Sequence, residues 1–157
     1  MIKDWLFSDE RSICHFRAAG VLIRENNLLV QREKDGMEYA LPGGHVMVGE
    51  TSEQALVREF KEETGADILC DRLIWTEEVF WKWGEKNAHG IVFYYLISLR
   101  NPSDIPGDYF ESKDNCHVLF EWINLDKIED LIIYPSFLKE RINHIPGHTE
   151  HFIRRDD

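Results

Sequence analysis

The sequence predicts a mixed α/β protein, with residues 1–157 forming one domain. Segments rich in β-branched and aromatic residues flank a helical segment on both sides, and 157 residues is the length of one ordinary domain. With 43% hydrophobic and 30% charged residues, the chain can bury a normal core. No repeat or low-complexity tract marks an internal boundary.

The predicted elements alternate between strands and helices. Apolar and aromatic runs indicate strands, polar runs with glycine or proline indicate loops, and apolar residues at helical spacing indicate helices. In order, the sequence predicts a hairpin over 13–23 and 28–32, a helix over 52–64, paired strands over 73–83 and 91–99, a loop over 102–116, a strand over 118–123, a short helix near 125–131 and a last helix after Pro135.

The helix over residues 52–64 has signals at both ends. Thr51 is a suitable N-cap, because its hydroxyl can accept a hydrogen bond from a free N–H group of the first turn. Gly65 is a suitable terminator, because glycine readily adopts the left-handed conformation that ends many helices.

The formal net charge of −11 narrows the classes of partner. Affinity for DNA or RNA rests largely on lysine and arginine, so a long nucleic acid is not the expected partner. An acidic protein can still handle small phosphorylated ligands when divalent cations bridge its carboxylates to phosphate oxygens. The charge therefore favours a small-molecule partner and hints at a metal.

Cysteine usage and the apolar runs indicate a soluble, cytoplasmic protein. Cys14, Cys70 and Cys116 are odd in number and far apart, which predicts free thiols rather than disulfides or a thiolate zinc site. The first residues are not an apolar signal segment, and no apolar run approaches the roughly 20 residues of a membrane helix. We expect no membrane partner.

Glu59, Glu62 and Glu63 share one face of the predicted helix. At about 100° per residue they fall within an arc of roughly 100°, while Leu56 and Phe60 point largely elsewhere. Like charges at this spacing mildly destabilise a helix unless a cation lies against them. Mg²⁺ prefers carboxylate and carbonyl oxygens, so the face is either a metal platform or an ordinary solvated acidic surface.

The spacing around this face resembles the Nudix box. Its fixed positions correspond here to Gly44, Glu50, Arg58, Glu59, Phe60, Glu62, Glu63, Gly65 and Ala66. The residue types agree throughout, except that Ala66 is smaller than the family usually has. The resemblance implies an α/β/α sandwich with a mixed β-sheet, in which the box forms a loop, helix, loop unit.

The resemblance also implies roles for residues in and beside the box. The ligands of Mg²⁺ or Mn²⁺ would be Glu59, Glu62, Glu63 and the backbone carbonyl of Gly43. Glu50 and Arg58 would form a supporting pair that orients the metal helix. The implied reaction is attack of water on a phosphorus atom of a pyrophosphate link, assisted by the cations.

A general base must accept a proton from the attacking water. In the family this base is a glutamate of the box or an acid from a later loop. Glu62 and Glu59 are therefore the first candidates, and Glu111 and Asp114 in the polar loop are the second. The choice among these four is open at this point.

Arg32, Phe80 and Trp81 are the candidate substrate contacts. Arg32 ends the second predicted strand, where some relatives have a phosphate-binding basic residue; an exposed arginine is the alternative. Phe80 and Trp81 belong to the aromatic strands after the box, and their rings could stack on a nucleobase or fill the core or a dimer contact.

Gly90 marks a departure from the pattern of some relatives, which have a glutamate after the histidine that corresponds to His89. Any role of that glutamate in metal binding therefore cannot be assigned to this chain.

Three histidines near the end of the chain are expected to belong to a solvated tail. His144, His148 and His151 have spacings that could hold a metal on a helix, but Pro146 and Gly147 interrupt that helix.

These observations predict a Nudix hydrolase that cleaves the pyrophosphate bond of a nucleoside diphosphate linked to X. A nucleoside triphosphate, oxidised or not, is slightly favoured, because residues 82–84 lack the proline of many ADP-ribose enzymes and the tyrosine of many dinucleoside polyphosphate enzymes is missing too. ADP-ribose or a nucleotide sugar is the alternative substrate, and a non-catalytic nucleotide-binding module the alternative function. Dimers are common among relatives, and a homodimer is left open.

Overall fold

The computed structural model describes residues 2–156, and strands dominate it. The strands are β1 (Leu6–Ser8), β2 (Ser12–Val21), β3 (Ile23–Arg24), β4 (Asn27–Glu33), β5 (Glu38–Ala40), β6 (Gly43–His45), β7 (Ile68–Trp83), β8 (Lys86–Leu99), β9 (Phe110–Glu111), β10 (Val118–Asn124), β11 (Ile132–Tyr134) and β12 (Glu150–Arg155). The helices are α1 (Ser52–Thr64) and the one-turn α2 (Leu138–Arg141), and 3-10 turns cover Pro102–Asp104 and Leu125–Asp130.

Hydrogen bonding divides the strands into two mixed sheets. The first has the order β1-β2-β8-β7-β12, with β6 beside β2. In it, β2 runs parallel to β8 and β12 parallel to β7, whereas β7 and β8 are antiparallel. The second has the order β11-β5-β4-β10-β9, with β3 beside β4, and β11 is parallel to β5.

Both faces of the central strands are buried, which produces two apolar cores. Along β4, Leu28 and Val30 belong to one core and Leu29 to the other, as the alternation of side chains along a strand requires. The first core includes Ile128 of the second 3-10 turn and residues of α2, and the second includes Phe60 of α1. Helical elements thus cover both sides of the strands, and the predicted α/β/α fold class is confirmed.

The predicted pair of aromatic strands is confirmed as the long antiparallel pair of β7 and β8. Both strands begin earlier than predicted, β7 at Ile68 and β8 at Lys86. They pair along their whole length, from Ile68 opposite Leu99 to Trp83 opposite Lys86. The polar turn at residues 84 and 85 is therefore shorter than the sequence indicated.

The predicted hairpin over residues 13–23 and 28–32 was wrong in its extent. Strand β2 ends at Val21 and pairs with β1, β6 and β8 in the first sheet. In the hairpin that does form, the two residues of β3 pair with Asn27 and Leu28, closed by Glu25 and Asn26 at positive φ. The chain leaves one sheet for the other at Leu22, and a local apolar pattern cannot signal that change.

The end of the chain forms a strand rather than the expected tail, although His144, His148 and His151 are exposed as expected. Six residues of β12 pair in parallel with β7, and the rings of Phe152 and Phe137 stack with centroids 4.0 Å apart. His151 lies on β12 and bonds through Nδ1 to Thr76 Oγ1 at 2.7 Å. The last predicted helix is shortened to the single turn of α2.

Two further sequence expectations can be compared with the described residues. No helix within residues 2–156 is both long enough and apolar enough to cross a membrane. Cys14, Cys70 and Cys116 are free thiols.

Candidate active site

Helix α1 begins and ends where the sequence predicted. Thr51 accepts a hydrogen bond at its hydroxyl from the Gln54 N–H group at 3.1 Å, and the Gln54 amide oxygen accepts one from the Thr51 N–H group at 2.9 Å. Gly65 ends the helix at φ 78°, in the left-handed region. These caps fix where helix α1 begins and ends.

Arg58 contacts several of the predicted site carboxylates at once. Its Nη1 lies 2.8 Å from Oε1 of Glu59 and 3.3 Å from Oε2 of Glu62. Its Nη2 donates to Oε1 of Glu50 at 2.7 Å and to the His45 carbonyl at 3.0 Å, and its Nε donates to Oε2 of Glu50 at 3.2 Å.

The bidentate contact with Arg58 lowers the pKa of Glu50, assisted by the Met47 N–H group, which donates to Oε1 of Glu50 at 2.8 Å. The structure therefore contains the contact between Glu50 and Arg58 that the resemblance implied. This contact ties helix α1 to Glu50 in the loop that precedes the helix. The catalytic roles of Glu50 and Arg58 stay predictions.

Glu63 is the least satisfied carboxylate on the helix. Its Oε2 atom is buried and has no hydrogen-bond partner among the described residues. The pKa of Glu63 is raised to about 8, chiefly by burial and also by the nearby carboxylates of Glu59 and Asp114, while Arg17 opposes the shift. The pKa of Glu59 is also raised by burial, although its contact with Arg58 opposes the shift.

The polar loop after β8 brings Asp114 to this cluster. The Lys113 N–H group donates to the Glu63 carbonyl at 2.8 Å, which anchors the loop on the end of α1. Asp114 accepts from the Ser112 hydroxyl at 2.7 Å and is close enough to raise the pKa of both Glu59 and Glu63. Glu111, the other loop candidate for the base, instead pairs with Lys34 at 2.5 Å.

Gly43 lies in close contact with strand β2, and Gly44 with helix α1. A Cβ atom at Gly43 would lie 2.0 Å from the Ala18 carbonyl oxygen, and one at Gly44 would lie 2.2 Å from Cδ of Glu59. The glycine pair therefore leaves room both for the β2–β6 pairing and for the Glu59 carboxylate. The Gly43 carbonyl as a metal ligand stays a prediction.

The carboxylates do not form a finished ligand set as they stand. Within residues 2–156, no group of three or more His, Cys, Asp or Glu side chains is close enough together to hold a metal ion. Glu59 and Glu62 instead turn an oxygen to Arg58. The donor chemistry nevertheless fits a hard cation, because the cluster offers carboxylate oxygens and the buried Oε2 of Glu63 lacks a partner.

A cavity of about 390 Å³ lies between the two sheets, and much of its lining was not predicted. His15, Arg17 and Ala19 alternate along β2 and all face it. Arg17 lines the cavity and is close enough to Glu63 to lower its pKa, so the cavity adjoins the carboxylate cluster. A charged residue inside an otherwise apolar strand was the signal that could have identified Arg17.

A charged network around the buried Glu77 forms part of the lining of the same cavity. Glu77 is 1% exposed and accepts hydrogen bonds from the Tyr94 hydroxyl at 2.6 Å and from Arg154 Nε at 2.8 Å. Arg154 also pairs with Asp156 at 2.6 Å. Sequence reasoning missed this network because it joins strands far apart in the chain.

The three candidate substrate contacts lie in different surroundings. Trp81 lines the cavity, with its ring centroid 5.2 Å from that of His15. Phe80 stacks on His89 at 4.2 Å, on neighbouring strands. Arg32 donates to Glu121 at 3.0 Å and to backbone carbonyls of the adjoining turn. Substrate binding by all three stays a prediction, and Trp81 alone of them lines the cavity.

Comparison with known proteins identifies the family. The NUDIX domain family model matches residues 15–142, which is more than half of the chain. The chain therefore belongs to the Nudix family, as the box predicted.

Individual relatives match over shorter stretches. An ADP-ribose pyrophosphatase of Methanocaldococcus jannaschii is 49% identical over 49 residues, which are 29% of this chain and 29% of that protein. A MutT-like protein of Streptomyces ambofaciens is 43% identical over 56 residues, which are 35% of this chain and 36% of that protein. The chain thus spans about a third of the length of these curated relatives.

A solved structure confirms the fold over most of the chain. The crystal structure of a mutator MutT protein from Bacillus halodurans is similar with a TM-score of 0.70, covering 89% of both chains at 14% identity. At that identity the likeness concerns the fold alone.

Proposed function

We propose that this protein is a Mg²⁺- or Mn²⁺-dependent hydrolase that cleaves the pyrophosphate bond of a nucleoside diphosphate linked to X. The observation that carries the proposal is the buried Oε2 of Glu63, which has no partner within residues 2–156 although Glu59 and Asp114 lie nearby. Buried carboxylates normally have a donor or a metal ion as partner. A divalent cation would supply it, and membership of the Nudix family supports the reaction class.

The cation would be held by Glu59, Glu62 and Glu63, with the Gly43 carbonyl as a further ligand. When bound, a divalent cation supplies charge that polarises phosphoryl oxygens and lowers the pKa of a bound water. Glu59 and Glu62 each direct one oxygen to Nη1 of Arg58, which leaves the other oxygen of each carboxylate for an ion. The Glu50 contact holds the guanidinium in place beside them.

The general base would come from the same cluster. Glu59, Glu62 and Asp114 are retained as candidates, because each belongs to or adjoins the carboxylate face. Glu111 is the weaker candidate, since its carboxylate is engaged by Lys34. Arg17 would bind phosphate oxygens beside the carboxylates, since it lines the cavity and is close enough to Glu63 to lower its pKa.

The proposed substrate is a nucleoside triphosphate, ADP-ribose or a nucleotide sugar. A nucleoside triphosphate is slightly favoured by the sequence, whereas one similar protein is an ADP-ribose pyrophosphatase and another is MutT-like. In this proposal residues 1–157 act as one domain on a small nucleotide. A cytoplasmic location and a homodimer stay predictions.

The test is a turnover screen of the purified chain against nucleoside triphosphates, ADP-ribose and nucleotide sugars, with and without Mg²⁺. We expect metal-dependent release of a nucleoside monophosphate from at least one of them. Glu63→Gln should abolish turnover, and Glu53→Gln, at an exposed position of the same helix, should retain it. Tight nucleotide binding with no turnover would instead support the non-catalytic module.

A further inference from the structure

Strand β12 forms one edge of the first sheet, and it lies beyond the residues that match the family. The family match ends at residue 142, and β12 covers Glu150–Arg155. One side of β12 pairs in parallel with β7, and no strand within residues 2–156 pairs with its other side. An open edge of this kind exposes a row of backbone N–H and C=O groups, so it can accept a further strand.

The backbone groups on the open edge of β12 belong to His151, Ile153 and Arg155. The Asp156 N–H group, just after the strand, donates to the Phe80 carbonyl of β7 at 2.8 Å. In a parallel ladder alternate residues bond the same neighbour, so the even-numbered residues of β12 bond β7 and the odd-numbered ones point away from it. No backbone hydrogen bond outside the two sheets involves these three odd-numbered residues within the described chain.

Side chains on both faces of β12 fix the strand to β7. On one face, His151 bonds through Nδ1 to Thr76 Oγ1 at 2.7 Å and through Nε2 to Glu78 Oε2 at 2.8 Å. On the other face, Arg154 Nε donates to Oε1 of the buried Glu77 at 2.8 Å. A strand that is already fixed on both faces loses little further freedom when its open edge binds a partner.

We propose that the open edge of β12 binds the same edge of a second copy of this chain, so that the two first sheets join across a two-fold axis. The two strands run antiparallel, and the contact is the same on both copies. Phe152 lies on the axis opposite Phe152 of the second copy, and His151 exchanges both backbone hydrogen bonds with Ile153 of that copy. The aromatic pair at the axis adds to the stability of the backbone pairing. This contact does not depend on the proposed hydrolysis.

The charges of β12 favour a second copy in this register. Glu150 then lies opposite Arg154 of the second copy, twice by symmetry, and such opposite charges stabilise paired strands. A shift of two residues in one direction would place Glu150 opposite Asp156, and in the other direction it would pair only residues 150–152. The strand has one glutamate and two arginines in a chain of net charge −11, so repulsion between two copies is reduced there. A strand of another protein would gain the backbone bonds without this match of charges.

The first test measures the mass of the purified protein by light scattering after size exclusion, over a range of concentrations. Wild type should be a dimer that dissociates on dilution. Ile153→Pro should raise the dissociation constant by about tenfold or more, because it removes an outward N–H group from each copy and no bond to β7. Ile153→Ala is the matched control, since it keeps that N–H group and should remain dimeric. Thermal unfolding shows whether both variants are folded.

Cysteine cross-linking tests the register even if Ile153→Pro does not fold. In a background whose three native cysteines are replaced by serine, Phe152→Cys places two thiols at the axis. The two Cα atoms would be about 4.5 Å apart, within the range of a disulfide bond. This variant should form a covalent dimer under mild oxidation. Phe7→Cys, at an exposed position of β1 on the opposite edge of the same sheet, should not.

Several outcomes would overturn the dimer through β12. A monomeric wild type would do so and would leave the open edge to a strand of a different protein. A dimer whose dissociation constant is unchanged in Ile153→Pro, or a dimer without a cross-link at residue 152, would show that the two copies meet at another surface. None of these results bears on hydrolysis, which the turnover screen tests separately.

Discussion

Gly44 and Glu59 lie in such close contact that a side chain at position 44 would displace the Glu59 carboxylate. A Cβ atom on Gly44 would be 2.2 Å from Cδ of Glu59 and 2.5 Å from both of its oxygens. The glycine is needed here for close approach rather than for an unusual backbone angle. Strand β6 and helix α1 therefore hold one predicted metal ligand directly against the backbone.

Gly44→Ala should impair activity much more than stability. The clash falls on the far end of a flexible side chain, so the fold can accommodate it by moving the carboxylate. We expect kcat/KM to fall by about 10–100-fold, the usual effect of disturbing the surroundings of a metal site, with little change in melting temperature. Gly107→Ala is the matched control, because a Cβ atom there meets nothing within 4 Å. Equal activity of the two variants would contradict this role of Gly44.

Glu50 and Arg58 should act as one unit in a double-mutant cycle. Their bidentate contact at 2.7 and 3.2 Å positions the guanidinium that also contacts Glu59. Glu50→Gln and Arg58→Lys should each lower kcat/KM by about 10–100-fold, and the double variant should be little worse than the worse single one. The exposed pair of Lys61, on α1, and Asp67, just beyond its end, gives the control cycle, with small effects expected. Additive losses at Glu50 and Arg58 would show that they act independently.

His15 should make stability depend on pH in the mildly acidic range. Burial lowers the pKa of His15 from 6.5 to about 4, assisted by Arg17, His45 and His89. As the pH falls, the unfolded chain binds a proton at His15 near pH 6.5, whereas the native protein binds it only near pH 4. The contribution of His15 to the free energy of unfolding is therefore complete above pH 6.5 and is lost as the pH falls towards 4.

Denaturant unfolding between pH 4 and 7 tests this dependence. His15→Gln should remove about 1–3 kcal/mol of the pH-dependent change, a range that allows for the partial exposure of the side chain. His148→Gln, at an exposed position, should leave the pH-dependent change in the free energy of unfolding unaltered. Identical pH profiles for wild type and His15→Gln would contradict the prediction.

The helix and its ends were predictable because their signals are local. Thr51, Gly65 and the spacing of the three glutamates all lie within one short segment, and an α-helix converts such spacing directly into a shared face. The contact between Glu50 and Arg58 followed from the same motif. Local sequence thus determined the part of the site that the family resemblance describes.

The cavity and the C-terminal strand were not predictable in this way. Arg154 contacts Glu77, and Gln31 and His15 of different sheets line one cavity, only because strands distant in sequence pair as they do. The change of sheet at Leu22 likewise depends on partners that β2 finds beyond residue 86. Such long-range pairing has no signature in a single local pattern, so the predicted hairpin and tail failed there.

The central claim is that the carboxylates of α1 bind a divalent cation through Glu63. Titration with Mn²⁺, followed by loss of the free-ion electron paramagnetic resonance signal, measures this binding without any substrate. Wild type and Glu53→Gln should take up Mn²⁺ and release it to excess Mg²⁺, whereas Glu63→Gln should bind at least tenfold more weakly. Equal uptake by wild type and Glu63→Gln, or no uptake by wild type even with nucleotide present, would contradict the claim.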